Sequence, residues 1–321
     1  MIISKSNILR LFGIIILVYI LYKVNWDQLG KSIAKTDPVL LSIAFILNIP
    51  TIWVKSFRWK TLLHWQKHYI TNKKAFFYYL CGSYLSFITP GRLGDLSKAF
   101  YLKQGGITNL SKGFSSVIAD RLHDICLLLL LGLICLIIYV PHSSAQIIGW
   151  IGITLTILIP FIFVFFRQIQ SFIGSFFNRF IIRKIPFLSK ENAWDFQNSF
   201  RELITWKLWQ TSMLTIISYA IFFLQCYFIS LSIKIPVSYW EIILIMSFTN
   251  FISFLPVSIA GIGTREAALL YLLIPKGIGY ETIICFSMGV FLIFYVGGGF
   301  LGAIVWSVYP LKLKFKKQET K

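Results

Sequence analysis

Ser86-Phe87-Ile88-Thr89-Pro90-Gly91-Arg92-Leu93-Gly94-Asp95 is a short charged stretch set in apolar sequence, and a second follows about half a chain later. There Ser253-Phe254-Leu255-Pro256 leads to Ala260-Gly261-Ile262-Gly263-Thr264-Arg265-Glu266. An ionised group at the bilayer centre costs about 2.5–3.5 kcal/mol on insertion scales, so charge kept there marks a functional site. The same device used twice indicates two halves built alike, with a polar site between them.

Apolar residues make up 57% of the 321 positions and charged residues 13%. Several apolar runs approach the ~20 residues that a bilayer crossing needs. The chain therefore reads as an all-α integral membrane protein, one polytopic domain over 1–321. The five cysteines all lie in apolar runs without a Cys-x-x-Cys pair and read as small core residues. Lys5 and Arg10 precede Leu11 to Tyr22 as in a secretory signal. Lys23-Val24-Asn25-Trp26-Asp27 lacks a small-x-small cleavage pattern, so the segment is kept as a first span. A net charge of +19 invites a nucleic-acid reading, but no soluble basic domain, zinc-finger spacing or recognition-helix pattern supports one. Gly-x-Ser-x-Gly, Walker, dinucleotide and His-Glu-x-x-His motifs are missing as well. The expectation is no cofactor, no nucleic acid and no self-contained ATP-driven pump.

Basic residues set the topology. Candidate spans are about 8–24, 38–54, 116–140, 146–166, 208–232 and 281–308. Segments 55–74, 167–207 and 311–321 carry six, seven and five Lys/Arg, while 141–146 carries none. With the N-terminus inside, 55–74 is inside and 141–146 outside, so 75–115 must start and finish on the cytoplasmic side. Segment 240–274 must likewise start and finish outside to let 281–308 reach the basic C-terminal tail. This arrangement puts 25 Lys/Arg inside against five outside. The expected fold has about six transmembrane helices, N-in and C-in, plus two re-entrant hairpins at 75–103 and 240–274. The first half covers about 8–166 and the second about 208–308, joined by the basic cytoplasmic loop 167–207. A hairpin from each face is the inverted-repeat pattern of secondary transporters.

Non-helical backbone at membrane depth survives only where protein or a watery cavity satisfies it. Pro90 and Pro256 end the descending half-helices, and Gly91, Gly94, Gly261 and Gly263 allow the turn and a close approach. The returning half-helices begin near mid-membrane, where unpaired N–H groups favour an anion. Arg92 and Arg265 add donors suited to phosphate. The economical pairing joins Arg92 to Glu266 and Arg265 to Asp95 across the tips, either as an internal lock or as a gate that opens for substrate. Arg265 and Glu266 are read as neighbours that do not face each other.

Further along, Asp120 and Asp124 lie one turn apart on one helix face with Arg121 three residues from Asp124, and they read as an interfacial anchor or as the lining of the way to the first hairpin. Arg58-Trp59 reads as a snorkelling and aromatic-belt pair. His64 and His68 have metal-ligand spacing without a third ligand, so no metal site is expected. The basic loop with Trp194, Trp206 and Trp209 is expected to lie on an anionic inner leaflet.

These residues together resemble the lysylphosphatidylglycerol synthase transmembrane-region family, also called flippase-like membrane proteins. The resemblance rests on Arg58-Trp59, Thr89 to Asp95, Asp120-Arg121 with Asp124, and Pro256 through Gly261 to Glu266, and covers about residues 8–308. Asp95 stands where the family often has Glu, and Ala260 where Gly is common. The resemblance implies a multi-pass protein of a prokaryotic cytoplasmic (inner) membrane, related to the membrane half of proteins that make and translocate aminoacylated phospholipids. The aminoacyl-transfer domain of those proteins has no counterpart in this sequence, so an enzyme is not expected. The leading expectation is a translocator of a phospholipid or lipid-linked anionic substrate, with membrane lipids as partners. One alternative is a non-transporting membrane partner of a lipid-modifying or glycosyl-transferring enzyme, with a homo-oligomer also open. The other is a membrane-embedded lipid transferase using Asp95, Glu266 or Asp124 as base.

Overall fold

Helix boundaries fall where the sequence supplies caps and breaks. The structure is a computed structural model describing residues 15–140, 142–165, 190–254 and 261–311, apart from the side chains of 88, 90–92, 159–165, 190–193, 254 and 295. No strand occurs among the described residues. Helix α1 covers 15–23 and α2 Trp26–Ala34. Asp37 caps α3 (Pro38–Ile46) by accepting from the Val39 and Leu40 amides. α4 (Asn48–Trp65) follows after one turn residue. Pro50 has no N–H for the Ile46 carbonyl, which accounts for the break there. Thr71 caps α5 (Asn72–Ile88), a 3-10 turn covers Pro90–Leu96, and α6 is Ser97–Gln104. Then come α7 (Leu110–Tyr139), α8 (Ser143–Phe165), α9 (Lys190–Leu203) and α10 (Leu208–Ser232). The last elements are α11 (Tyr239–Phe254), α12 (Thr264–Leu273), α13 (Tyr280–Val290) and α14 (Gly298–Val308). A π-helical segment, Phe291–Gly297, makes α13 and α14 continuous.

Four helical stretches are long and apolar enough to cross a membrane: Pro38–Trp65, Leu110–Tyr139, Leu208–Ser232 and Tyr280–Val308. They coincide with four of the six expected spans. α8 holds a shorter apolar run, Ser143–Leu158, and the expected first span is described only from residue 15. Pro256, residues 166–189 of the basic loop and the tail lysines from Lys312 lie outside the described residues.

Polar contacts sort the connections into two ends. At one end Gln66 donates to Ser115 Oγ at 2.7 Å and to the Ser199 carbonyl at 3.2 Å. His68 shares a hydrogen bond with Thr108 at 3.0 Å, and Tyr101 donates to the Tyr309 carbonyl at 2.9 Å. At the other end the Asp37 amide reaches the Ser232 carbonyl, Tyr280 reaches the Ile20 carbonyl, and Lys276 pairs with Glu241. His68 with Thr108 thus joins the two outer ends of the pair α5–α6, and Lys276 with Glu241 those of α11–α12.

Hydrophobic side chains form one cluster among α10 to α13, with Phe223, Ile245, Leu269 and Phe286 buried, and another around Trp59, Leu63, Leu80 and Val117. In lipid, close backbone approach replaces much of the hydrophobic drive, so small residues sit at contacts. A Cβ on Gly302 would lie 2.4 Å from the Leu80 carbonyl oxygen, whereas one on Gly298 would meet nothing within 4 Å. Gly302→Ala is therefore expected to lose about 1–3 kcal/mol by overpacking α14 against α5. Gly298→Ala should be neutral or better in micellar thermal unfolding, and equal behaviour of the two variants would refute this packing.

The Lys276–Glu241 clasp gives a pH test. Partial burial pushes the Glu241 carboxyl up, but hydrogen bonds from Lys276 and Ser238 outweigh it and bring it down to about 2. A depressed carboxyl contributes stability that is present above its ordinary range and lost as pH falls through the folded value. Acidification from pH 5 towards 2 should lower the hydrogen-exchange protection factors around residues 274–281 in the wild type, each rate being referred to the intrinsic rate at its pH. Glu241→Gln should show low protection at both pH values; a pH response unchanged in that variant would remove Glu241 as its cause.

Candidate functional site

The turn between α5 and α6 is closed by backbone contact. Thr89 donates its hydroxyl to the Leu85 carbonyl at 2.8 Å and accepts from the Gly94 amide at 2.6 Å. Gly94 lies so close to α5 that a Cβ would fall 2.1 Å from the Leu85 carbonyl carbon. That contact fixes the position of Asp95, which is buried. Asp95 Oδ2 accepts from Lys98 at 3.1 Å and from Arg121 Nε.

From Asp95 a network of ions spreads through α4, α6 and α7. Lys98 bridges to Asp120 Oδ2 at 3.1 Å and sits over the rings of Tyr79 and Trp59. Arg58, fully buried, donates from Nε to Asp120 Oδ1 at 2.8 Å and from Nη1 to Asp124 Oδ1 at 2.7 Å. It also reaches the Asp120 carbonyl and the Thr215 hydroxyl of α10. Lys55 contacts Asp124 Oδ2 at 3.4 Å and lies over the Tyr219 ring. Arg121 Nη1 stands 3.9 Å from the same oxygen. The network holds four cations, Lys55, Arg58, Lys98 and Arg121, and three carboxylates, Asp95, Asp120 and Asp124, so it carries one surplus formal positive charge.

That surplus borders a cavity of about 130 Å³, lined by Lys55 and Arg121 with Asn48, Thr51, Ser83 and Ser86. Phe294, Gly298 and Gly299, at and beyond the π segment, form its opposite wall. Asn48 secures that wall by donating to the Ile293 carbonyl at 3.0 Å.

The second turn is organised differently. Gly261 and Gly263 take φ of +78° and +87°, which only glycine adopts readily. The Gly263 amide donates to Glu266 Oε2 at 2.6 Å. Arg265 Nη2 donates to Glu266 Oε1 at 2.7 Å, and Ser287 donates to the same oxygen at 2.5 Å. Arg265 Nε also donates to Ser287 at 3.0 Å.

This geometry corrects several expectations. Arg265 pairs with its neighbour Glu266, not with Asp95 across the tips, because both side chains turn back over the start of α12 to meet Ser287 of α13. Asp95 is taken by Lys98 and Arg121. The expected partner Arg92 has only its backbone in the described turn, as has Gly91; the Arg92 side chain lies outside the described residues. Arg58 and Trp59 do not snorkel: both are fully buried, with the Trp59 indole donating to Ser116. Asp120 and Asp124 are buried counter-ions of Arg58 rather than an interfacial anchor. His64 packs against Tyr69 and His68 bonds to Thr108, and no group of three potential metal ligands occurs among the described residues. Lys55, Lys98 and Thr215 escaped the sequence reading, which counted the two lysines only as cytoplasmic charge. Their signal was there: Lys55 interrupts the apolar Ile52-Trp53-Val54, and Lys98 follows Asp95 by one helical turn.

The family model described as "Lysylphosphatidylglycerol synthase TM region" matches residues 7–302. UPF0104 membrane protein MJ1595 of Methanocaldococcus jannaschii is 23% identical over 284 residues, 84% of each chain. UPF0104 membrane protein PH1989 of Pyrococcus horikoshii is 21% identical over 295 residues, covering 85% of this chain and 88% of that relative.

Removing one partner of a buried ion pair costs about 3–5 kcal/mol, since the other charge stays stranded. Arg58→Met should show a loss of that size in unfolding from mixed micelles. Lys55→Met, whose side chain is 16% exposed and whose contact is longer, should lose less than about 1 kcal/mol. Comparable losses would show that the network is not graded from its buried centre to the cavity wall.

Proposed function

The chain belongs to the lysylphosphatidylglycerol synthase TM-region family, and on that footing we propose that it moves a phospholipid or lipid-linked anionic substrate across the cytoplasmic membrane of a prokaryotic cell. The observation that carries this reading is the polar cavity walled by Lys55 and Arg121, beside a buried network with one unmatched positive charge. A phosphate is the fitting guest for paired ammonium and guanidinium donors at membrane depth. The cavity takes the head group, and the hydrocarbon stays in the bilayer.

In this proposal the helix pairs α5–α6 and α11–α12 are re-entrant hairpins from opposite faces, N-in and C-in. Two kinds of observation support that placement. α6, with 8 residues, and α12, with 10, are about 12 and 15 Å long, too short for a ~30 Å hydrocarbon core. Each pair is also tied at its two ends, by His68 with Thr108 and by Glu241 with Lys276. Asp95, Arg121 and Asp124 act as the gate, exchanging partners when an anion engages Arg121 and Lys55. Alternating access then comes from one half rocking against the other about the cavity, with the π segment as the yielding wall. Gly91, Gly94, Gly261 and Gly263 form the two turns, and Arg92 joins the same substrate path. Arg265 and Glu266 pair with each other at the second tip. No catalytic chemistry is assigned to any of these residues.

The test is lipid scrambling in proteoliposomes, following head-group-labelled phospholipid and, separately, a labelled polyprenyl phosphate becoming accessible to an impermeant quencher. Folded wild type should accelerate one of them. Lys55→Gln and Arg121→Gln should each slow it about tenfold or more, the loss of one charge-assisted hydrogen bond. Gly298→Leu should abolish movement by filling the cavity. Faithful movement in all three variants, or none by wild type with either lipid, would overturn the proposal.

A further inference from the structure

The cavity at Lys55 and Arg121 is also selective for what accompanies a phosphate. Asn48, Thr51 and Lys55 line it from α4, and Tyr79, Ser83 and Ser86 from α5. Spacings of three and four residues put each set on one helix face. Seven residues at 1.5 Å rise make each polar stripe about 10 Å long. Lys55 and Arg121 charge one end, both reaching towards Asp124 Oδ2.

Some donors on the stripes are already engaged. The Asn48 amide donates to the Phe45 and Ile293 carbonyls, and Thr51 donates to the Leu47 carbonyl and to Gln225. The hydroxyls of Tyr79 and Ser83 make no hydrogen bond among the described residues. Tyr79 is 3% exposed, and its ring is held under the Lys98 ammonium at 4.1 Å, which fixes where its hydroxyl stands. A hydroxyl both donates and accepts, so an alcohol group of a ligand complements it.

The same lining is hostile to a ligand amine. It holds two cations and, among the described residues, no carboxylate. Both Asp124 oxygens and Asp95 Oδ2 are taken by Lys55, Arg58, Lys98 and Arg121. The remaining oxygen, Asp95 Oδ1, is buried against Gly82 of α5, where a Cβ would lie 3.2 Å from it. An ammonium entering beside the phosphate would meet like charge and no counter-ion of its own.

We propose that the cavity selects a phosphodiester lipid whose second alcohol is a polyol without an amine, with its phosphate on Lys55 and Arg121 and its hydroxyls on Tyr79 and Ser83. This selectivity rests on the head-group site proposed above and names its substrate class.

Calorimetric titration of the full chain in maltoside micelles tests it without transport. The probes are dihexanoyl phosphatidylglycerol, phosphatidylinositol, phosphatidylethanolamine and phosphatidic acid. The better of the first two should bind about tenfold tighter than phosphatidylethanolamine, and their order tells an open polyol from a ring. Phosphatidic acid, with no head-group alcohol, should also bind more weakly, although charge alone would put it first. Tyr79→Phe and Ser83→Ala should each weaken the polyol lipid about fivefold and leave phosphatidic acid unchanged. Ser83→Asp supplies the lining with a carboxylate and should turn the preference to phosphatidylethanolamine. If circular dichroism shows that variant unfolded, Tyr79→Phe and Ser83→Ala decide. Phosphatidylethanolamine or phosphatidic acid binding as tightly as the polyol lipids, polyol affinity unchanged in both hydroxyl variants, or no lipid bound would overturn the selectivity. Polyol binding without scrambling in proteoliposomes leaves it standing and removes the translocation reading; scrambling with a preference for ethanolamine does the reverse.

Discussion

Arg58 is a guanidinium with no exposed surface, and much of the bundle is arranged around making that tolerable. Taking a cation out of water costs several kcal/mol, repaid only if each donor finds an oxygen in good geometry. The protein supplies Asp120 and Asp124 from α7, one turn apart on one face, and Thr215 from α10. Those bonds set the register of α4 against both neighbours. Asp120 uses its second oxygen on Lys98, and Lys98 holds Asp95, so the first turn is located by a chain of ions that starts at Arg58. Such a network need add no net stability over a well-packed apolar substitute. What it enforces is one arrangement of helices, since any slip strands a buried charge.

The two glycine turns are alike in sequence and unlike in wiring. At the second, Glu266 accepts from the Gly263 amide, Arg265 and Ser287, and is satisfied within α12 and α13. At the first, Asp95 turns outward to cations of α6 and α7. Two similar turns are therefore held by different partners, the first of them by a charged network.

Membrane class, four of the spans and the two breaks were legible in the sequence because each depends on local composition. Runs such as Leu127 to Leu131 have no alternative in water, and Thr89-Pro90 cannot continue a helix. Arg58, Asp120 and Asp124 were legible as unusual but not as partners, since 62 and 66 residues separate Arg58 from the two acids. The pairing of Arg265 was misjudged for a physical reason. Adjacent helical residues point about 100° apart, yet at a first turn the N3 carboxylate swings back to cap the amides, and a long arginine can follow it. Ser287, 22 residues away, completes that fold-back and could not be inferred from α12 alone.

Exposure within the network separates what must stay fixed from what can exchange. Arg58 and Lys98 are fully buried, whereas the Lys55 and Arg121 side chains are 16% and 22% exposed, and these two reach the cavity. In the proposed reading an arriving phosphate competes with Asp124 for Lys55 and with Asp95 for Arg121. It leaves the pairs of Arg58 untouched. Asp95 keeps Lys98, and Asp124 keeps Arg58, so neither carboxylate is stranded when its outer partner turns to the ligand. A site wired this way can bind and release an anion repeatedly at modest cost, because every exchange happens one partner away from the ion that holds the helices together.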